Sequence, residues 1–479
     1  MEEMEPVSST SYRQLHENFM QNNSGSSLED TIHVQTPLPI LIFFSLLTTN
    51  YLSKELSAVT NNKLLNYCSI IVEIFLIVIL QILIFTSLIS DFICSILLVL
   101  SFFSILYVIF TYMKDAILEK CNSIILKRSA LTGKRPYITY FRTSVNLTTT
   151  ICILAVDFTV FPRSLSKTET YGFSLMDSGV GYFVVCNGLV GSNIDLHNHC
   201  PSRIHLVFKL IRKNCPLFIL GLVRFVTVSN LDYQQHVSEY GVHWNFFITL
   251  AFTKVISSLL LTFFKKSFVR YLALATLVLH QSVLLSGAEN WVLSDLPRNT
   301  FLSANREGIV SLLGYVSLYL ISVDLGIWLK ANNSTFEKDI ARVCKLIFHA
   351  VFLYIIVHVL DLFFKCSRRL ANVTYVVYIS MLSTYLLSLC LIVELVLRLN
   401  RGPRKTSDNN GLIPVILESI DSNALSFFLV ANLLTGSINL YLETLFVDSF
   451  YSILIIILYE LILCIVFFLL REYNWKIYL

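Results

Sequence analysis

AVDFTVFPRSLSKTETYGFSLMDSGVG, residues 155–181, joins the end of one apolar run to the start of the next through a short polar break. The same alternation extends in both directions. Apolar runs of about 17 to 25 residues, the length that crosses a bilayer as α-helix, are separated by short clusters of charge. Of 479 residues 55% are hydrophobic and 14% charged, whereas soluble domains carry about 25% charged residues. The composition predicts an all-α, polytopic integral membrane protein.

Spans are expected near 37–53, 67–89, 91–113, 146–162, 176–195, 214–229, 241–264, 267–287, 307–329, 343–364, 373–397, 424–444 and 449–470, about thirteen helices in one bundle. They divide the chain into a polar, non-cytosolic segment over 1–36, a transmembrane domain over 37–471 and a short cytosolic tail over 472–479. The first 36 residues lack the basic start and apolar centre of a signal peptide, so no cleaved leader is expected. With a non-cytosolic N-terminus, the cytosolic loops and C-terminus hold about threefold more Lys and Arg than the opposite side, which orients the chain. The loop 114–145 leads, with Lys134, Arg135 and Arg142 among its cations. Lys365, Arg368 and Arg369 run against the trend, so either a boundary differs there or these cations serve a purpose such as holding phosphate. The sequon Asn22-Asn23-Ser24 falls on the non-cytosolic side, which fits an endomembrane protein.

The net charge of +4 sits beside spans and reports topology rather than nucleic-acid binding. Eleven cysteines, without a CxxC pair or a Cys/His cluster at metal spacing, read as small membrane-embedded side chains, and no metal is expected. Walker, GxGxxG and GxSxG motifs are missing. The glycines of GVGYFVVCNGLVG, residues 179–191, read as close helix packing.

Charges inside spans cost about 2.5 to 3.5 kcal/mol each on insertion scales, so they tend to face a cavity or a partner. Asp157 is such a charge, with Lys167 ten residues on and Pro162 expected to end the helix between them. A carboxylate in a low dielectric is a stronger base, and a nearby cation can hold it charged. A structural ion pair pinning the loop to the bundle fits the same residues. Arg163, Glu169 and Asp177 are either interfacial or substrate-binding. In EYGVHWNFF, residues 239–247, the groups Glu239, His243, Trp244 and Asn245 suit either a hydroxylated headgroup or an aromatic belt. SANREGIVSLLGY, residues 303–315, offers Asn305 and Arg306, with Glu307 favoured by the helix dipole. LESIDSNALSFFLVANLLTGSINL, residues 417–440, buries Asn432 and Asn439, for which interhelical hydrogen bonds are the plain reading.

These four stretches, in order, together with KRPYITYFR at 134–142 and LHENFMQNNSGSSLEDT near the N-terminus, resemble the glycosylphosphatidylinositol inositol-acyltransferase family, called PIG-W in animals and GPI-anchored wall transfer protein in fungi. The resemblance implies a thirteen-span enzyme of the endoplasmic reticulum membrane, with a lumenal N-terminus and a cytosolic C-terminus. Such an enzyme moves a fatty acyl group, usually palmitoyl, from acyl-CoA to the inositol 2-hydroxyl of glucosaminyl-phosphatidylinositol. It implies catalytic roles for Asp157 and Lys167, acyl-CoA as co-substrate with no bound cofactor, and substrate contacts among the polar groups above. Ser164 stands where the family commonly has a second arginine. Asp157 is then expected to take the inositol proton, with Lys167 as its ionic partner or as the oxyanion donor. Lys134, Arg135 and Arg142 are candidates for the acyl-CoA phosphates.

Three other readings compete. A lipid transporter or flippase would also use intramembrane Asp and Lys near helix breaks. A membrane-bound O-acyltransferase of the larger type would need a histidine deep in a span, and His280, His349 and His358 lack the accompanying motif. A scaffold for other enzymes is the third.

Overall fold

The computed structural model describes residues 12–56, 62–86, 95–101, 104–107, 135–191, 203–229, 237–330, 336–401 and 411–477. Their regular structure is helical, joined by turns and loops, with an isolated antiparallel bridge between Ser26 and Phe173. The helices are α1 (Tyr12–Met20), α2 (Leu28–Gln35), α3 (Pro37–Leu56), α4 (Tyr67–Thr86), α5 (Pro136–Ala155), α6 (Leu175–Gly191), α7 (Arg203–Ser229), α8 (Val237–Tyr240), α9 (Phe246–Phe263), α10 (Lys266–Leu293), α11 (Arg306–Lys330), α12 (Phe336–Phe363), α13 (Val373–Arg401), α14 (Val415–Ser422), α15 (Ala424–Tyr441) and α16 (Ser449–Glu472).

Nine helices among the described residues are long and apolar enough to cross a membrane, against the thirteen expected. Three further expected spans are helices that fall short of this. α6 has only 17 residues, α5 is rich in Thr, Ser and Asn, and α7 carries Lys209, Arg212, Lys213 and Arg224. The segment 91–113 lies largely outside the described residues.

Loop placement follows the alternation that the spans require. Segments expected on the non-cytosolic side meet at one end of the bundle: Ser26 bonds Phe173, Arg368 reaches Asp177 and Glu239, and Tyr12 meets Thr444. Those expected on the cytosolic side meet at the other, where Arg398 contacts Asp339, Arg142 contacts Asp421 and Asn423 contacts Trp475.

α13 is the central post. In its apolar stretch 78% of residues are buried, against 17% in α12, whose exposed Phe348, Phe352 and Leu362 suit a lipid-facing position. Its Tyr375 and Tyr378 are fully buried, so each hydroxyl needs a partner. They donate to the carbonyls of Asp177 and Ser174, 2.9 and 3.3 Å away, and so tie α13 to the start of α6. α6 presses into α11 at Gly188, where an added Cβ would lie 2.6 Å from Ser322 Cβ, and into α13 at Gly181, 2.6 Å from Ile379. Close packing is thus the use of these two glycines.

α5 differs from its expected 146–162 limits at both ends. It begins at Pro136, a residue suited to the first helical position, and the Tyr137 N–H is satisfied by Glu394 at 2.8 Å. It ends at Ala155, not at Pro162. The next amides bond three residues back, Asp157 N to Leu154 O and Phe158 N to Ala155 O. The Arg163 guanidinium then caps the Val156 carbonyl at 2.9 Å. Phe158 and Phe161 stay buried through this turn, so the apolar run outlasts the helix. Asp157 consequently sits in a buried turn rather than within a span.

Candidate active site

A cavity in the bundle is bounded by α5, α6, α13 and α15, with Leu38 and Pro39 of α3 on one side. Along α5 it runs from Phe141 to Ile153, about 18 Å at 1.5 Å per residue, more than half of a bilayer core of about 30 Å. Its walls are mostly apolar, with Val145, Cys152, Phe183, Leu386, Cys390 and Phe428 among them. At one end stand Lys167, Glu239, Tyr240 and Arg224.

Lys167 is held there by three connected carboxylate contacts. Its Nζ lies 2.7 Å from Glu239 Oε1. The same oxygen receives Arg368 NH1 at 3.1 Å, and Arg368 Nε donates to Asp177 Oδ1 at 2.8 Å. Asp177 in turn accepts from the Thr168 amide and, at 2.7 Å, from the Thr168 hydroxyl. The residue after Lys167 is therefore clamped, and the lysine emerges on the cavity side. Burial alone would raise the Glu239 pKa, but Lys167 and Arg368 beside it bring it down to about 2. Burial opposes the charge of Arg368, and Glu239 and Asp177 more than compensate, raising its pKa. Arg368 is only 5% exposed, which makes this a buried ionic network rather than a surface pair.

Asp157 is anchored separately. Asn439 Nδ2 donates to its Oδ2 at 2.7 Å, and His16 Nε2 lies 3.6 Å from Oδ1. Arg163 stays close by, its charge disfavoured by burial and supported by Asp157. Asp157 and Asn439 stand outside the cavity wall, next to it along the chain. Asp157 is four residues beyond Ile153, and Asn439 is seven beyond Asn432; both Ile153 and Asn432 line the cavity.

The structure corrects several sequence expectations. No ion pair joins Asp157 to Lys167: the clamp on Thr168 turns the lysine to Glu239, and Asp157 takes Asn439 and His16 instead. Asp177 is 1% exposed with both oxygens engaged, so it supports the site rather than binding substrate. Asn245 caps α9 through Phe247 N and Ile248 N and donates to Gly221 O. Trp244 packs on Gly308 and Phe252 and donates to Thr249. His243 lies between Phe225 and Phe301, away from the cavity wall. Asn305 is fully buried and bonds Phe301 O and His243 N. Arg306 holds the carbonyls of Leu296 and Ser294. Asn245, Asn305 and Arg306 thus satisfy backbone groups at loops and helix ends, the general need of buried backbone. Glu169 is exposed, and its backbone joins Asn23 O and Arg369.

Of the expected substrate contacts, Glu239 and Asn432 line the cavity. At the far end Arg135 lies 3.9 Å from Asp339 and Arg142 lies 2.8 Å from Asp421, which engages both candidates for phosphate. Lys134 lies outside the described residues. Arg368 proves to be a buried ionic bridge, while Lys365 pairs with Asp361 and Arg369 approaches Glu307 at 3.5 Å.

The model of the GWT1 family covers residues 12–470. The chain belongs to the GWT1 family. A Dictyostelium discoideum relative, phosphatidylinositol-glycan biosynthesis class W protein, is 31% identical over 97% of the chain and 99% of its own length. GPI-anchored wall transfer protein 1 of Schizosaccharomyces pombe is 36% identical over 75% of the chain and 78% of its own. The human relative, glucosaminyl-phosphatidylinositol-acyltransferase PIGW, is 32% identical over 74% of the chain and 76% of its own. The family is thus one of acyltransferases and GPI-biosynthesis proteins, and the chain is a multi-pass membrane member of it.

Proposed function

We propose that this GWT1-family enzyme transfers a fatty acyl group, palmitoyl in the first instance, from acyl-CoA to the inositol hydroxyl of glucosaminyl-phosphatidylinositol. The observation that carries the reading is the apolar cavity ending at Lys167, with Asp157 one turn beyond its wall. An acyl chain suits the apolar length, and its thioester then reaches the polar end. Access for acyl-CoA from the cytosolic side would run along the same length of α5.

In the proposed step the inositol oxygen attacks the thioester carbon. Asp157 takes the hydroxyl proton as the bond forms, and the carbon–sulfur bond breaks. The proton then passes to the departing CoA thiolate. Lys167 donates to the carbonyl oxygen while it carries negative charge. Because Asp157 and Lys167 are not paired with each other, substrate can lie between them, with the proton taken on one side and the oxyanion stabilised on the other. Glu239 keeps Lys167 charged and aimed, and Arg224 at the cavity end supplies a cation for the lipid phosphodiester. The reading places the protein in the endoplasmic reticulum membrane, with the site end and N-terminus lumenal.

The test is to reconstitute the protein with labelled palmitoyl-CoA and glucosaminyl-phosphatidylinositol and to map the acyl group on the product. Acylated inositol with release of free CoA is the expected result. Movement of the lipid between leaflets without acylation would replace this reading with the transporter.

A further inference from the structure

The helix α1 lies across the Asp157 turn and is fastened on both sides. At its start, Tyr12 OH is 3.2 Å from Thr444 Oγ1 and accepts from Leu445 N at 3.4 Å, with its ring 5.6 Å from Phe446. At its end, the Phe19 ring lies 4.3 Å from the Arg163 guanidinium, and Met20 Sδ accepts from Arg163 at 3.4 Å. Beyond it, Gly25 and Gly172 adopt positive φ angles of 82° and 133°, and a Cβ on either would lie 2.4 Å from the opposing backbone. These fastenings fix one turn of α1, which carries His16, over a carboxylate 141 residues later in the chain.

His16 Nε2 stands 3.6 Å from Asp157 Oδ1, within ion-pair reach and just beyond hydrogen-bond length. The imidazole is 20% exposed and the carboxylate 4%, so His16 forms the layer between Asp157 and the outside. Asn439 occupies the other oxygen. A carboxylate offers about four acceptor directions, so these two neighbours fix its orientation and leave it able to accept a substrate hydroxyl. Apo contacts of this kind commonly tighten when substrate binds.

We propose that His16 is a positioning residue for Asp157, delivered by α1, and that this helix is a working part of the acyl-transfer site. The proposal rests on the reading of Asp157 as the base. His16 and Asn439 meet different oxygens of the carboxylate and so fix the direction of the lone pairs left to a substrate hydroxyl. With substrate in place, His16 acts on Asp157 through a ring N–H and forms no bond to substrate.

The test compares wild type, His16→Ala, His16→Gln and Tyr12→Ala in the reconstituted acyl-transfer assay, with Asp157→Asn alongside and thermal unfolding of every variant. His16→Ala is expected to lower kcat roughly tenfold, the order expected for losing one contact to a charged group, with both KM values within about twofold and an unchanged unfolding temperature. His16→Gln, which keeps an N–H donor, is expected to recover most of the loss, and Tyr12→Ala to lower kcat by releasing α1. Wild-type kcat in His16→Ala, with Asp157→Asn inactive, overturns this proposal alone. A loss in His16→Ala that follows a fall in unfolding temperature and is not rescued by His16→Gln makes α1 a structural clasp and also overturns it. Full activity in Asp157→Asn, or no acylated lipid from wild type, removes the parent reading and this one together.

Discussion

Replacing Arg368 with methionine would remove the centre of the network behind Lys167. The guanidinium satisfies two buried carboxylates, Asp177 at 2.8 Å and Glu239 at 3.1 Å, and is itself 5% exposed. Breaking a buried pair from one side costs about 3 to 5 kcal/mol, because the charge left behind is uncompensated. Two charges are left here, but neither is stranded: Glu239 keeps Lys167 and Asp177 keeps Thr168. The lower end, about 3 kcal/mol, is therefore expected. Arg368→Lys should recover only part of it, since one ammonium does not reproduce a fork that serves two carboxylates. The triple variant Arg368→Met, Asp177→Asn, Glu239→Gln removes both carboxylate charges that Arg368 had balanced and should regain stability while leaving Lys167 without its anion. Thermal unfolding in detergent can be followed with a thiol-reactive dye, because Cys152, Cys186, Cys366, Cys390 and Cys464 are buried and free. If Arg368→Met unfolds at the wild-type temperature, the network does not support the fold as argued. If the triple variant regains stability and keeps full kcat, Glu239 does not orient Lys167.

Three other outcomes follow from the same geometry. Asn439→Ala removes the 2.7 Å bond to Asp157, a hydrogen bond to a charged group worth about 1.5 to 3 kcal/mol, and steady-state kinetics should show kcat falling about tenfold with both KM values nearly unchanged. Glu239 titrates near 2 in the folded protein against an ordinary value of 4.5. Its folded pKa is depressed, so its contribution is complete above about pH 4.5 and is lost as pH falls from there towards 2. Unfolding temperature measured across that window should fall more steeply in wild type than in Glu239→Gln. Gly188→Val would drive a side chain into Ser322 and the Tyr319 carbonyl, and should cost about 1 to 3 kcal/mol by overpacking, read as a lower unfolding temperature.

The all-α membrane fold was legible because apolar runs and charge breaks report spans directly. Asp157 stood out for the same reason, as a charge in an apolar run, and Lys167 as the cation ten residues beyond it. The end of α5 was not legible, since Phe158 and Phe161 continue the hydrophobic pattern through a turn that only hydrogen bonding defines. Partners were less legible still. Arg368 lies 191 residues from Asp177 and 129 from Glu239, and sequence showed it only as a cation on the unexpected side. His16 sits in a polar segment with no pattern linking it to Asp157. Asn245, Asn305 and Arg306 looked like ligand groups because a side chain that caps backbone has the same polarity as one that binds a headgroup. Arg224, which stands at the cavity end, lies inside the expected span 214–229, with no local pattern linking it to Lys167.

The central claim is that Asp157 performs the proton transfer while Lys167, held by Glu239, acts on the opposite side of the reacting carbonyl. Single-turnover acyl transfer in Asp157→Asn, with palmitoyl-CoA binding measured on the same sample, tests it most directly. The account predicts a rate at least about 100-fold below wild type, the lower bound for loss of a general base, with palmitoyl-CoA bound as tightly as before. A wild-type single-turnover rate in Asp157→Asn would contradict it.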